Sequence, residues 1–179
     1  EAMIDTAKLP HPGPGANWND AECGPVGGTT HLGEGKVTVW GNDPKGHKAN
    51  AWKFCFTVAA AGPGVSLRTH AAPAFVWADQ TRHQGTGIEQ SGKVIDKKAR
   101  KVVKTIQVTK EAGKAAVHIE FNKDGSEVWV SVWNRKDNKN PTGEIVVYDS
   151  KTLKEIKRIK GLTTPTGKFN VYNRTNHVT

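Results

Sequence analysis

Cysteine is scarce in this chain of 179 residues, and long apolar runs are missing from it altogether. The two cysteines, Cys23 and Cys55, match no metal-ligand spacing such as C-x-x-C, which removes the common zinc and iron–sulfur arrangements. Two readings of them stay open: one disulfide in an oxidising compartment, or two buried thiols. No stretch approaches the roughly 18 consecutive apolar residues of a membrane-spanning helix, and no segment carries the periodicity of an amphipathic helix. Acidic residues are also short, 17 Asp and Glu against 26 Lys and Arg, leaving a formal charge of +9. Much of the excess lies between Lys93 and Lys114, where cations alternate with strand-type apolar residues as they do on solvated sheet faces and guarded edges. No nucleic-acid-binding motif accompanies them, so nucleic acid is not an expected partner. With Glu1 first and no leader pattern, the expectation is a processed chain or a segment of a longer one.

What is present reads as strand. Nineteen glycines and nine prolines describe a loop-rich chain, and six tryptophans with runs of Val, Ile and Thr suit pleated, half-buried surfaces. Those runs repeat. When "VHIEFNKDGSEVWVSVWN" is laid over "VSLRTHAAPAFVWADQTR", Val117 falls on Val65, Val128 on Val76 and Trp129 on Trp77, an offset of 52 residues. "EIVVYDSKTLKEIKRI" lies over "KVIDKKARKVVKTI" at 53, with Asp149 on Asp96, and "KVTVWGNDPKGHKANAWKFCFTV" is an earlier copy. Four short strands per period of about 50 residues is the pattern of a β-propeller blade. The expected units are 9–60, 64–111 and 115–160, with 161–173 ("TPTGKFNVYN" within it) opening a fourth. Trp18, Trp129 and Trp133 are expected in blade cores, where a large aromatic buries most apolar area. Three blades do not close a ring, so further blades, from missing sequence or a partner chain, and an oligomeric setting are expected.

The passages "PHPGPGANW", "TTHLGEG", "NDPKGHKANAWK", "RTH", "EFNKDGSEVWVSVWN", "DSKTLKEIK" and "TPTGKFNVYN" together resemble the C-terminal part of the haem d1 propeller of cytochrome cd1 nitrite reductases. The resemblance runs from about Met3 to Asn173 in the same motif order. It implies an all-β partial propeller, about three four-stranded blades plus the opening strand of a fourth, belonging to an eight-bladed ring. It also implies a periplasmic enzyme that reduces nitrite to nitric oxide on haem d1 and receives electrons from a periplasmic donor protein. Haem c is expected only on missing sequence or a partner chain, and no activity is expected of this chain alone. The alternative is a non-catalytic assembly subunit of a nitrogen-oxide complex, or a haem d1 carrier or maturation protein.

By motif, the resemblance places the family's two distal, proton-handling histidines on His31 in "THLG" and His70 in "RTH". Histidine suits that work because its ring holds and releases a proton near neutral pH. Haem d1 carries several carboxylates, which makes Arg68 and Lys168 candidate partners. Asn17, after the glycine-rich "GPGA", sits where backbone can approach a ligand closely. His118, inside an opening strand, is placed to point at the axis. His11 in "PHPGPG" reads as a loop residue whose simplest task is to position backbone; His47, His83 and His177 read as surface residues. The chain departs from the family at "RTHAAP", where a lysine before and a proline after the "TH" are usual, and most of all over "RHQGTGIEQSGKVIDKKARK".

Overall fold

The computed structural model describes residues 3–6, 8–12, 15–60, 62–83, 85, 87–135 and 142–165. Alternating residues put twelve strands into three four-stranded antiparallel sheets, each taking its strands in chain order. The first holds β1 (Ala16–Asp20), β2 (Gly24–Thr30), β3 (Lys36–Gly41) and β4 (Phe54–Ala59). The second holds β5 (Leu67–Thr69), β6 (Phe75–Asp79), β7 (Ser91–Asp96) and β8 (Lys101–Gln107), and the third β9 (Lys114–Phe121), β10 (Glu127–Asn134), β11 (Gly143–Asp149) and β12 (Glu155–Leu162). The only helical element among the described residues is a 3-10 turn, Ile88–Gln90. This is an all-β partial propeller of three blades, with β1, β5 and β9 as the inner strands. Of the expected fourth opening strand, residues 166–173 lie outside the described residues.

Two apolar layers hold the blades together. Between the first and second sheets lie Trp18, Val26, Val37, Val39, Leu67, Val76 and Ile95. Between the second and third lie Trp77, Val94, Ile119, Val128, Val130 and Tyr148. Each Val or Leu removed from water in these layers contributes about 1.5–3 kcal/mol. Trp18 and Trp77 sit within the layers, the rings of Trp77 and Tyr148 5.6 Å apart. Trp129 and Trp133 do not: they are half-buried and belong to neither layer, because no described sheet covers that side of the third blade.

The inner strands run in one direction. Gly64 N donates to His31 O at 3.1 Å, and a Cβ on Gly28 would lie 3.2 Å from Leu67 Cδ2, so the chain from 64 onward passes antiparallel to β2 and hence parallel to β1. Ser66 Oγ accepts from Ile119 N at 3.3 Å, while Arg68 Nε donates to Glu120 Oε1 at 3.2 Å, which sets β9 parallel to β5. Arg68 also donates through Nη1 to Gly15 O at 3.1 Å. One guanidinium therefore ties the inner ends of all three blades. A second tie is Asp79, fully buried, which accepts from Val65 N and Ser66 N of its own blade and from His118 N of the next.

Candidate functional site

A cleft of about 550 Å³ opens where the segment before β1 crosses the first blade, a volume suited to a small organic ligand. It is lined by Ile4, Thr6, His11, Asn17, Thr29 and Trp40, with Pro10, Gly15 and Gly28 in its wall. The segment is pinned to the end of β2: His11 N donates to Thr30 O at 2.9 Å, Leu32 N to Leu9 O at 2.8 Å, and Thr29 Oγ1 to His11 O at 2.7 Å. The backbone of His11 is thus engaged through both its N–H and its carbonyl. The ring Nδ1 of His11 is shielded from solvent and has no hydrogen-bond partner among the described residues, a costly condition for a polar atom unless a ligand or water meets it. Asn17 lies in the same cleft, its amide oxygen taking a bond from Asn42 Nδ2 at 3.3 Å. The glycines matter here for space: Trp40 lies flat over Gly27, where an added Cβ would come within 2.9 Å of the indole.

His31 follows the end of β2 and His70 the end of β5, two strands that run antiparallel. The two rings also serve separate structural tasks. His31 is 0% exposed, with Nε2 2.8 Å from Thr38 Oγ1 and Nδ1 3.2 Å from Lys8 O. It is the first residue after the second strand of its blade, and in the next blade that position is Gln80, also 0% exposed, donating to Ser91 Oγ at 2.8 Å. Both polar side chains link the second strand to the third within a blade. His70 closes the β5–β6 turn, with Nδ1 accepting from Ala72 N at 3.2 Å and its carbonyl taking Lys97 Nζ at 2.9 Å. Its ring packs against Gly125 and lies 6.2 Å from the Phe121 ring. The matching turns of the other blades are closed by Asp20 and Asn122.

The other sequence candidates divide by position. Arg68 reaches Gly15 in the wall of the cleft, but its charge is already paired with Glu120, whose carboxyl is raised by burial and lowered in turn by Arg68. His118 occupies a β-bulge on β9, in the left-handed region at φ 57°, opposite the register shift between Val130 and Ser131. Asp79 holds that bulge through the His118 amide, and the imidazole stands edge-on to Trp133 at 5.3 Å. Bulges re-aim a side chain in this way. Lys168 lies outside the described residues. Cys23 and Cys55 form a disulfide that joins the β1–β2 turn to β4.

The sequence reading took His11 as a loop residue that positions backbone, and its N–H and carbonyl are both bonded to the end of β2; the shielded ring Nδ1 was not foreseen. The available signal was its setting: proline and glycine on both sides fix backbone without burying the ring in a blade.

The chain matches the Cytochrome D1 heme domain family over residues 1–174. It is 37% identical to a nitrite reductase of Stutzerimonas stutzeri over 194 aligned positions, covering 99% of this chain and 34% of that protein. It is 30% identical to a dihydro-heme d1 dehydrogenase of Pseudomonas aeruginosa, covering 97% of this chain and 31% of the relative. Among solved structures, the dihydro-heme d1 dehydrogenase NirN in complex with DHE superposes with a TM-score of 0.77 at 30% identity, over 96% of this chain and 32% of that one. A Kuenenia stuttgartiensis hydrazine synthase shares the fold, with a TM-score of 0.62 at 9% identity, over 82% of this chain and 36% of that one. The chain spans about a third of the length of the curated relatives it matches. With the family matched from end to end of the described strands and the blade arrangement shared, the chain belongs to the Cytochrome D1 heme domain family.

Proposed function

We propose that this chain supplies part of the haem d1 site of a periplasmic nitrite reductase, working with blades it does not itself contain. The observation that carries the proposal is the cleft beside His11, which combines a shielded, unpartnered imidazole nitrogen with Asn17 and close glycine backbone at the inner end of a blade. Those features fit a flat, carboxylate-bearing tetrapyrrole: apolar wall from Ile4 and Trp40, an amide donor from Asn17. When bound, haem d1 would supply the iron that takes nitrite and the electron that reduces it. The chain's own part is proton handling. Conversion of nitrite to nitric oxide consumes two protons and releases water, and His11 Nδ1 is placed to hold one of them in a site shielded from solvent. Arg68 then acts by position, keeping Gly15 and β1 in place through its carbonyl bond. The Cys23–Cys55 disulfide supports an oxidising compartment such as the periplasm.

A second reading is haem d1 maturation, supported by the superposition on the dihydro-heme d1 dehydrogenase. Titration of the chain with haem d1, followed by absorbance, tests the site common to both. We expect saturable binding, weakened by His11→Ala and Asn17→Ala and unaffected by His31→Gln. A nitrite-induced spectral change whose pH dependence disappears in His11→Ala would favour the reductase. Binding indifferent to His11 and Asn17 would overturn the site.

A further inference from the structure

A second cavity, about 610 Å³, lies between the loops of the second and third blades, at the end where β9 begins. Its wall is formed by Gly85, Gly87 and Gln90 from the β6–β7 loop, Lys110 and Gly113 before β9, and Arg135 after β10, with Glu89 and Lys114 also facing it. None of these residues belongs to the His11 cleft. Arg135 takes the place in its blade that His31 and Gln80 take in theirs, the first residue beyond the second strand. Blades one and two put there a buried side chain bonded to the third strand of its own blade, His31 to Thr38 and Gln80 to Ser91; the third puts a half-buried cation.

Arg135 is incompletely used. It donates through Nη2 to Thr81 Oγ1, a neutral hydroxyl, and no carboxylate bonds it among the described residues. Arg82 stands close enough to repel it, and burial first and Arg82 second hold the guanidinium below its ordinary pKa, with Glu89 and Asp79 offsetting part of that effect. Lys110 is exposed at the rim and makes no described bond. Lys114, by contrast, is neutralised by Glu111 at 2.8 Å and Glu144 at 2.9 Å, and Glu144 in turn by Arg158 at 2.7 Å. The positive charge offered to the cavity therefore comes from Arg135 and Lys110, with Arg82 near Arg135 and the Glu89 carboxylate as the opposing charge.

We propose that this cavity is an anion site distinct from the His11 cleft, in which Arg135 and Lys110, backed by Arg82, receive a carboxylate or small oxyanion. A guanidinium with spare parallel N–H groups recognises such a group through paired, charge-assisted bonds. An anion there would also relieve the repulsion between Arg82 and Arg135. Two sources share this chemistry, a free inorganic oxyanion and a carboxylate arm of a tetrapyrrole. The inference goes beyond the proposed function and rests on different residues, so either can fail alone.

The test is an NMR titration of the 179-residue chain that follows the backbone amide signals of the cavity residues Gly87 and Gly113, with sodium nitrite in one arm and coproporphyrin III in the other. We expect a saturable shift in one arm, and that arm identifies the source. The Lys110→Gln/Arg135→Gln variant should raise the apparent Kd about tenfold or more, as expected for loss of charged hydrogen bonds, while His11→Ala leaves it unchanged. Lys110→Gln/Arg82→Gln, which alters two exposed side chains, gives the same comparison should the Arg135 variant fold poorly. The proposal is overturned by the lack of a saturable shift in both arms, or by an affinity that the charge removals leave unchanged.

Discussion

Asp79 shows how much one side chain can decide. Its carboxyl is raised to about 6 by burial, against the lowering effect of four backbone amides. A folded-state value above the unfolded one means that the native state holds the proton more tightly, so the stability linked to it is present below the ordinary value near 3.8 and is lost as pH rises through about 6. Urea unfolding between pH 4 and 7 should therefore show a falling contribution in the wild type that Asp79→Asn removes. The variant is also expected to be weaker at every pH, since an amide NH2 would face the His118 N–H. His31 makes a different case. His31→Ala leaves Thr38 and the Lys8 carbonyl without their buried partner and should cost about 1–3 kcal/mol in unfolding free energy, with haem d1 binding retained. The bonding of the His31 ring was not legible in the sequence. A ring buried beside a hydroxyl and a ring offered to a ligand have the same local composition, and only the equivalence of His31 with Gln80, visible once the strands are placed, separates them.

At the scale of elements, the turns and the disulfide carry the argument. Gly125, at φ 73°, sits under the His70 ring with no room for a Cβ. Gly125→Ala should thus lower Tm through both backbone strain, about 1–3 kcal/mol for a left-handed non-glycine residue, and displacement of His70. Calorimetry checks it, and a Tm equal to the wild type would show that the β9–β10 turn adjusts freely. The Cys23–Cys55 bridge closes a separation of 32 residues, and on chain entropy its loss should cost about 3–4 kcal/mol. Comparing oxidised and reduced protein by denaturant unfolding measures this directly. The strands themselves were largely readable, because period-two alternation and the recurrent Val–Trp pair mark β6 and β10 without reference to anything distant. The bulge at His118 was not readable: it is imposed by the Asp79 carboxylate of the neighbouring blade, 39 residues away.

For the whole molecule, the repeat predicts unequal consequences at equivalent positions. Trp77 and Trp129 occupy the same place in successive blades, yet Trp77 is 0% exposed beneath the third sheet and Trp129 is half-buried on a side that no described sheet covers. Trp77→Ala should cost about 3–5 kcal/mol, whereas Trp129→Ala should change the stability of this chain by much less. A larger assembly that covers the third blade would reverse the second result, and Trp129 fluorescence would move to shorter wavelength as it forms. The sequence expectation that Trp129 sits in a blade core holds only where a following blade exists to make one.

Arg68 sets how these sheets fail. Because its one guanidinium joins β5 to Gly15 on one side and Glu120 on the other, shortening it would remove the polar tie among all three inner strands and leave the apolar layers and Asp79 to hold them. Amide hydrogen exchange along β1 and β9 should then quicken in parallel, far from the substituted atom, while the peripheral strands keep their rates.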